Sequence, residues 1–117
     1  GYDVEIDVWF LKEQNLFYLG HDKPEYEISL DFLCNRKDFL WCHAKNIDSL
    51  FAMKGYNLNF FWHQSDDAVM TTMGYIWTYP GKKLTPNSIC VMPEINYNFN
   101  SLPDCLGYCT DYPNLIL

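Results

Sequence analysis

Gly1 to Asp22 read GYDVEIDVWFLKEQNLFYLGHD. From Tyr2 to Phe10 the chain alternates, with Tyr2, Val4, Ile6, Val8 and Phe10 on one side of an extended strand and Asp3, Glu5, Asp7 and Trp9 on the other. Glu5 and Asp7 are therefore same-face neighbours, about 7 Å apart along the strand. Two carboxylates that close repel unless one is protonated or a cation or basic group lies between them. The pair therefore suits a divalent metal held by hard oxygen ligands. The same pattern also suits the solvated face of an edge strand.

Outward from that strand, Lys12 to Asn15 is a polar turn and Leu16 to Leu19 a short apolar strand, which ends in Gly20-His21-Asp22. A glycine at that point lets a ligand or another backbone come close, and the histidine is presented at a strand end, where loops carry chemistry. Imidazole is the side chain suited to moving protons near neutral pH. A lone histidine in such a place is ordinarily structural. Its combination with the carboxylate pair is what singles out His21.

An E-x-D strand followed by a strand ending in G-H-D resembles the glycerophosphodiester phosphodiesterase family, whose members fold as (β/α)8 barrels. The resemblance makes Glu5 and Asp7 metal ligands and His21 an acid/base residue. The stretch Gly107 to Pro113, GYCTDYP, is similar to the family's closing strand. Where the family carries an E-x-K pair on its next strand, this chain has His43-Ala44-Lys45. The resemblance thus implies a phosphate-binding lysine at Lys45 and a candidate third ligand at His43, whose other reading is a structural hydrogen bond. It further implies a divalent cation, Mg2+ or Ca2+ with Mn2+ as a further candidate, and a small-molecule phosphodiester substrate. Imidazole suits transition metals better than magnesium or calcium, so His43 leaves the ion's identity open. The family's H-R-G strand does not occur in this sequence. The expectation is a shortened or incomplete (β/α)8 TIM-barrel-like phosphodiesterase domain over residues 1–117 that lacks its first strand and helix. The alternative is a noncatalytic phosphodiesterase-like module that binds a phosphorylated ligand or a protein partner.

The middle of the chain alternates strands and helices in the manner of a parallel sheet. Ser29 can cap a helix through Asn35. Phe39 to Ala44 reads as a strand, with Trp41, His43 and Lys45 on one face. Asn46 can cap a helix from Ile47 to Lys54 whose inner stripe is Ile47, Leu50 and Phe51. Asn57 to His63 is an aromatic strand, and Ala68 to Met73 and Tyr75 to Tyr79 are shorter strand-like pieces. Trp77 and Tyr79 share a face before the Pro80-Gly81 turn and are candidate walls of a substrate pocket, or else core residues. Ser88 to Met92 reads as a buried strand running into Pro93-Glu94, and Ile95 to Asp104 as a polar loop.

A chain of 117 residues fits a single domain. Its net charge of −7 lacks the basic field that nucleic acid or an anionic membrane surface requires, though a bound cation would reverse the field locally for an anionic substrate. The five cysteines are odd in number and show no C-x-x-C spacing, which points to a reducing, cytoplasmic setting rather than a disulfide framework or a zinc knot. No apolar segment approaches the length of a membrane span, so no integral membrane association is expected.

Overall fold

The alternating opening stretch forms β1, Val4–Leu11, and the four-residue turn after it is too short for anything but a reversal. β2, Leu16–Leu19, therefore returns antiparallel to β1, with Val8 opposite Leu19 and Leu11 opposite Leu16. β3, Tyr26–Ile28, adds to it, again antiparallel. Only then does the chain cross over. α1, Leu30–Asn35, is capped by Ser29, whose hydroxyl accepts from the Phe32 N–H at 3.1 Å, and it leads to β4, Leu40–Ala44, which pairs parallel to β1 on the other side from β2. α2, Ile47–Met53, is a second crossover to β5, Phe60–Trp62, parallel to β4.

This is a computed structural model; it describes residues 1–116 and contains two compact units, Gly1–His63 and Gln64–Leu117. The first unit is built on the mixed sheet β3-β2-β1-β4-β5. Ile6, Val8 and Phe10 of β1, Cys42 and Ala44 of β4 and Phe60 of β5 pack with Leu33 of α1 and Met53 of α2 into one core. Every second residue of β1, β4 and β5 thus goes to the helices. The residues between them, Glu5, Asp7, Trp41, His43 and Phe61, face the other way.

The second unit has its own four-stranded sheet, in the order of β6, Ala68–Met70, β7, Ile76–Thr78, β8, Ser88–Val91, and β9, Gly107–Cys109. β6 is antiparallel to β7, and β7, β8 and β9 are parallel. The link between β7 and β8 is a loop, and that between β8 and β9 holds one short 3-10 turn, Pro93–Ile95, with no α-helix in either. The first is pinned by the buried Ser88 hydroxyl, which accepts from the Thr85 N–H at 2.8 Å and from the Thr78 hydroxyl at 3.2 Å.

The (β/α)8 expectation is overturned. That fold needs eight parallel strands, each followed by a helix, closed into one sheet. The described residues form two separate open sheets, and only two α-helices connect strands. The physical causes lie in the connections. Lys12–Asn15 forces a hairpin where a barrel needs a crossover, and the segments after β7 and β8 are polar and loop-forming. Of the inner stripe expected for α2, Leu50 packs against the core and the other two residues do not. Ile47 and Phe51 are exposed, whereas Ser49 and Met53 are buried. Asn46 accounts for that rotation. Its side-chain oxygen accepts from both Ser49 N–H at 3.0 Å and Phe10 N–H at 3.2 Å, and its amide donates to Phe10 O at 3.0 Å. The cap thus clamps the helix start to β1 and turns Ser49, rather than Ile47, toward the sheet.

Candidate metal centre

The polar face of the first sheet is assembled by register. β1 and β4 run parallel with Glu5 opposite Trp41 and Asp7 opposite His43, and β5 continues the second row with Phe61 opposite His43. Two residues that the sequence separates widely are brought side by side by a single parallel pairing. Glu5, Asp7 and His43 each offer a ligand atom within 4.8 Å of the other two.

Each member of the trio is half-buried, and its electrostatics are those of a site with too many acceptors. Burial pushes the Glu5 carboxyl up to about 8, aided by the charge of Asp7 and a hydrogen bond shared with it, while Lys45 pulls the other way. One Glu5 oxygen, Oε1, is buried with no hydrogen-bond partner. The only other such side-chain atom among the described residues is Asn59 Oδ1. Buried acceptors are ordinarily satisfied, so an orphan within a cluster of acceptors is an atom that a cation could satisfy.

His43 is fixed at three points. Its Nε2 lies 3.2 Å from the carbonyl oxygen of His63, its Nδ1 3.4 Å from Asp7 Oδ1, and its ring stacks on Phe61 with centroids 5.0 Å apart. Burial holds its pKa below the usual imidazole value, against the opposing pulls of the His63 carbonyl and the Asp7 charge. A carbonyl can only accept, so the contact with His63 O needs a proton on Nε2, and in a neutral ring so protonated the Nδ1 lone pair faces the carboxylate.

Lys45 follows on the same strand direction, its N–H donating to Val8 O at 2.9 Å, and its charge acts on both Glu5 and His43. The structure thus brings together four of the residues singled out from sequence: Glu5, Asp7, His43 and Lys45. His21 stands apart from the ligand trio. Its side chain is 81% exposed and pairs with Asp22 at 2.9 Å. The loop that carries it is nevertheless tied to β1, because Gly20 N–H donates to Asp7 O at 3.2 Å and the Trp9 indole donates to Gly20 O at 2.7 Å. Trp77 and Tyr79 belong to the second unit, where Trp77 is a buried residue of its sheet and Tyr79 is half-buried.

Sequence reasoning missed what holds the site. The His63 carbonyl and the Phe61 ring orient His43, yet a carbonyl acceptor leaves no signature in residue type. The alternation of Asn57 to His63 would have put Phe61 on the His43 face once the two strands were paired. No protein-family model, curated protein or solved structure matches the chain. Among the described residues no helix is long and apolar enough to cross a membrane.

Proposed function

We propose that the first unit carries a divalent-cation centre serving the hydrolysis of small phosphodiesters of the glycerophosphodiester class, in a cytoplasmic setting. The observation that carries this reading is the convergence of Glu5, Asp7 and His43 within 4.8 Å, with an unsatisfied Glu5 oxygen among them. The likeness of the E-x-D and G-H-D segments to the glycerophosphodiester phosphodiesterases supports the reaction class. A divalent cation bound there supplies charge neutralisation for nonbridging phosphoryl oxygens. Glu5, Asp7 and His43 are the residues that hold it. Lys45 adds a point charge for the phosphate. His21, on the loop tied to the Asp7 backbone, is the proton-transfer group for the leaving alkoxide.

A second reading has a specific observation in its favour. His21 is highly exposed, pairs with Asp22 and lies outside the ligand trio, as befits a module that binds a phosphorylated ligand without turnover. The two are separated by incubating the protein with glycerophosphodiesters and a chromogenic phosphodiester in the presence of Mg2+, Ca2+ or Mn2+. Metal-dependent turnover that Glu5→Gln abolishes supports the hydrolase. Metal-dependent retention of the diester with no turnover supports the binder. Neither turnover nor retention with any ion sinks both.

A further inference from the structure

We infer that His43 is a metal ligand through Nδ1, and that the centre selects a first-row transition ion such as Mn2+ over Mg2+ and Ca2+; the inference rests on the cation centre proposed above and concerns which ion it takes. The argument starts from the hydrogen bond of the other ring nitrogen. His63 O occupies Nε2 at 3.2 Å and fixes the proton there. Nδ1 is then an acceptor set 3.4 Å from Asp7 Oδ1, itself an acceptor. Two acceptors at that distance repel unless a cation lies in reach of both.

The alternative resolution, an imidazolium ion-paired with Asp7, would leave Glu5 Oε1 without a partner. A cation shared by Nδ1 and the carboxylates satisfies all of these atoms together. The ring is in addition held flat against Phe61, with planes 21° apart. Ring direction is thereby set before any ion arrives, so the nitrogen donor is a built part of the site. An imidazole nitrogen beside two carboxylates is a poor set for Mg2+ and Ca2+, which take oxygen ligands, and a good one for transition ions. His63 acts here as a positioning residue through its main-chain carbonyl, which a side-chain substitution retains.

The test uses Mn2+ as the probe, with pulsed electron paramagnetic resonance to detect a nitrogen coupled to the ion and calorimetry to rank the ions. The full chain should bind Mn2+ more tightly than Mg2+ or Ca2+ and show a nitrogen coupling. That coupling should vanish in His43→Asp, whose carboxylate falls near the Nδ1 position and which should also reverse the ion order, and should persist in His21→Ala and His63→Ala. His43→Asn, whose amide oxygen falls near the Nδ1 position, should keep part of the Mn2+ binding, while His43→Gln, which offers its donor near the Nε2 position, should lose it. Mn2+ bound without nitrogen coupling, or Mg2+ and Ca2+ bound as tightly as Mn2+, overturns the inference and leaves the cation centre standing. Absence of binding by every ion in folded protein removes the centre itself.

Discussion

Asp7 and His43 are direct register partners on neighbouring parallel strands, with Oδ1 and Nδ1 3.4 Å apart, although 36 residues separate them in sequence. Same-face neighbours on paired strands sit about 5 Å apart at Cβ, close enough for two short side chains to share one small ion. Glu5, two residues away on the same face of β1, has a carboxylate oxygen within 4.8 Å of both. The site is thus a product of one strand pairing, and any change that shifts the β1–β4 register by one residue would turn Asp7 and His43 to opposite faces.

Metal-free stability should fall as pH rises through the neutral range. The Glu5 carboxyl titrates at 4.5 in the open chain and at about 8 in the fold. Between those values the folded protein holds a proton that the unfolded chain has lost. Folding stability therefore drops with rising pH across that window, by up to about 1.4 kcal/mol per pH unit, and this contribution is flat outside it. Urea denaturation in chelator at pH 5, 7 and 9 checks this, with Glu5→Gln expected to flatten the profile. An unchanged slope in that variant would mean that Glu5 is not the titrating group.

Cation binding should depend on pH in the opposite sense. An ion that takes the place of the Glu5 proton must release it, so affinity for Mn2+ should rise by about tenfold per pH unit below pH 8 and level off above it. Isothermal titration in buffers of different ionisation enthalpy should show close to one proton released near pH 7. Proton uptake, or no pH dependence, would place the ion elsewhere.

The loop after β2 should be intolerant of any side chain at its glycine. A Cβ on Gly20 would collide with the main-chain carbonyl of Lys23 and crowd Glu25 N at 3.1 Å, and main chain cannot swing aside. Gly20→Ala should cost roughly 1–3 kcal/mol, as over-packing does, and loosen the loop that bears His21. Gly55→Ala is the control. No atom lies within 4 Å of its Cβ position, so it should be neutral or gain a few tenths of a kcal/mol. Equal effects of the two in urea unfolding would show that the Gly20 contact does not constrain the chain.

Asn46 should prove worth more than an ordinary helix cap. It satisfies the Ser49 N–H and at the same time bonds both main-chain groups of Phe10. Asn46→Ala should therefore exceed the ~1 kcal/mol typical of a lost cap. Asn46→Asp keeps the acceptor for Ser49 but cannot donate to Phe10 O, and should fall between the alanine variant and the parent. If aspartate matches the parent, the bond from the Asn46 amide to Phe10 O contributes nothing beyond the two hydrogen bonds that the side-chain oxygen accepts.

The elements most legible in the sequence are those whose signals are local. Leu16–Leu19 has the bounds read from its apolar run, Ser29 and Asn46 cap the helices they were expected to cap, and the opening alternation sorts Glu5 and Asp7 from Ile6 and Val8. What failed depended on pairing. A hairpin and a crossover can begin with the same strand, and only the length of Lys12–Asn15 distinguishes them; the barrel expectation gave that turn too little weight. The α2 stripe held at Leu50 and failed at its other two residues for a similar reason. Ile47 and Phe51 look like core by type, but the Asn46 clamp on Phe10, a contact over 36 residues, fixes the rotation that exposes them. Of the candidate site, strand alternation singled out the two carboxylates and the family resemblance singled out His43 and Lys45, whereas the His63 carbonyl and the Phe61 ring that orient His43 are seen only in three dimensions.

His21 separates enzyme from binder. Its loop is held to β1 through Asp7 O and the Trp9 indole, and Trp9 shares a strand face with Glu5 and Asp7. The ring is outside the ligand trio, so its loss should leave metal-induced stabilisation unchanged. If His21 transfers the proton to the leaving alkoxide, His21→Ala should lower kcat for an alkyl phosphodiester by about 10²- to 10⁴-fold with little change in KM. The loss should shrink for a diester with a good leaving group, which needs no proton, and one limb of the pH–rate profile should disappear. Trp9→Phe, which removes the donor to Gly20 O, should reproduce part of the kcat loss by freeing the loop while keeping the ring. A His21→Ala protein that turns over alkyl and activated diesters as fast as its parent would take His21 out of the chemistry, and with it the strongest reason to prefer a hydrolase to a binding module.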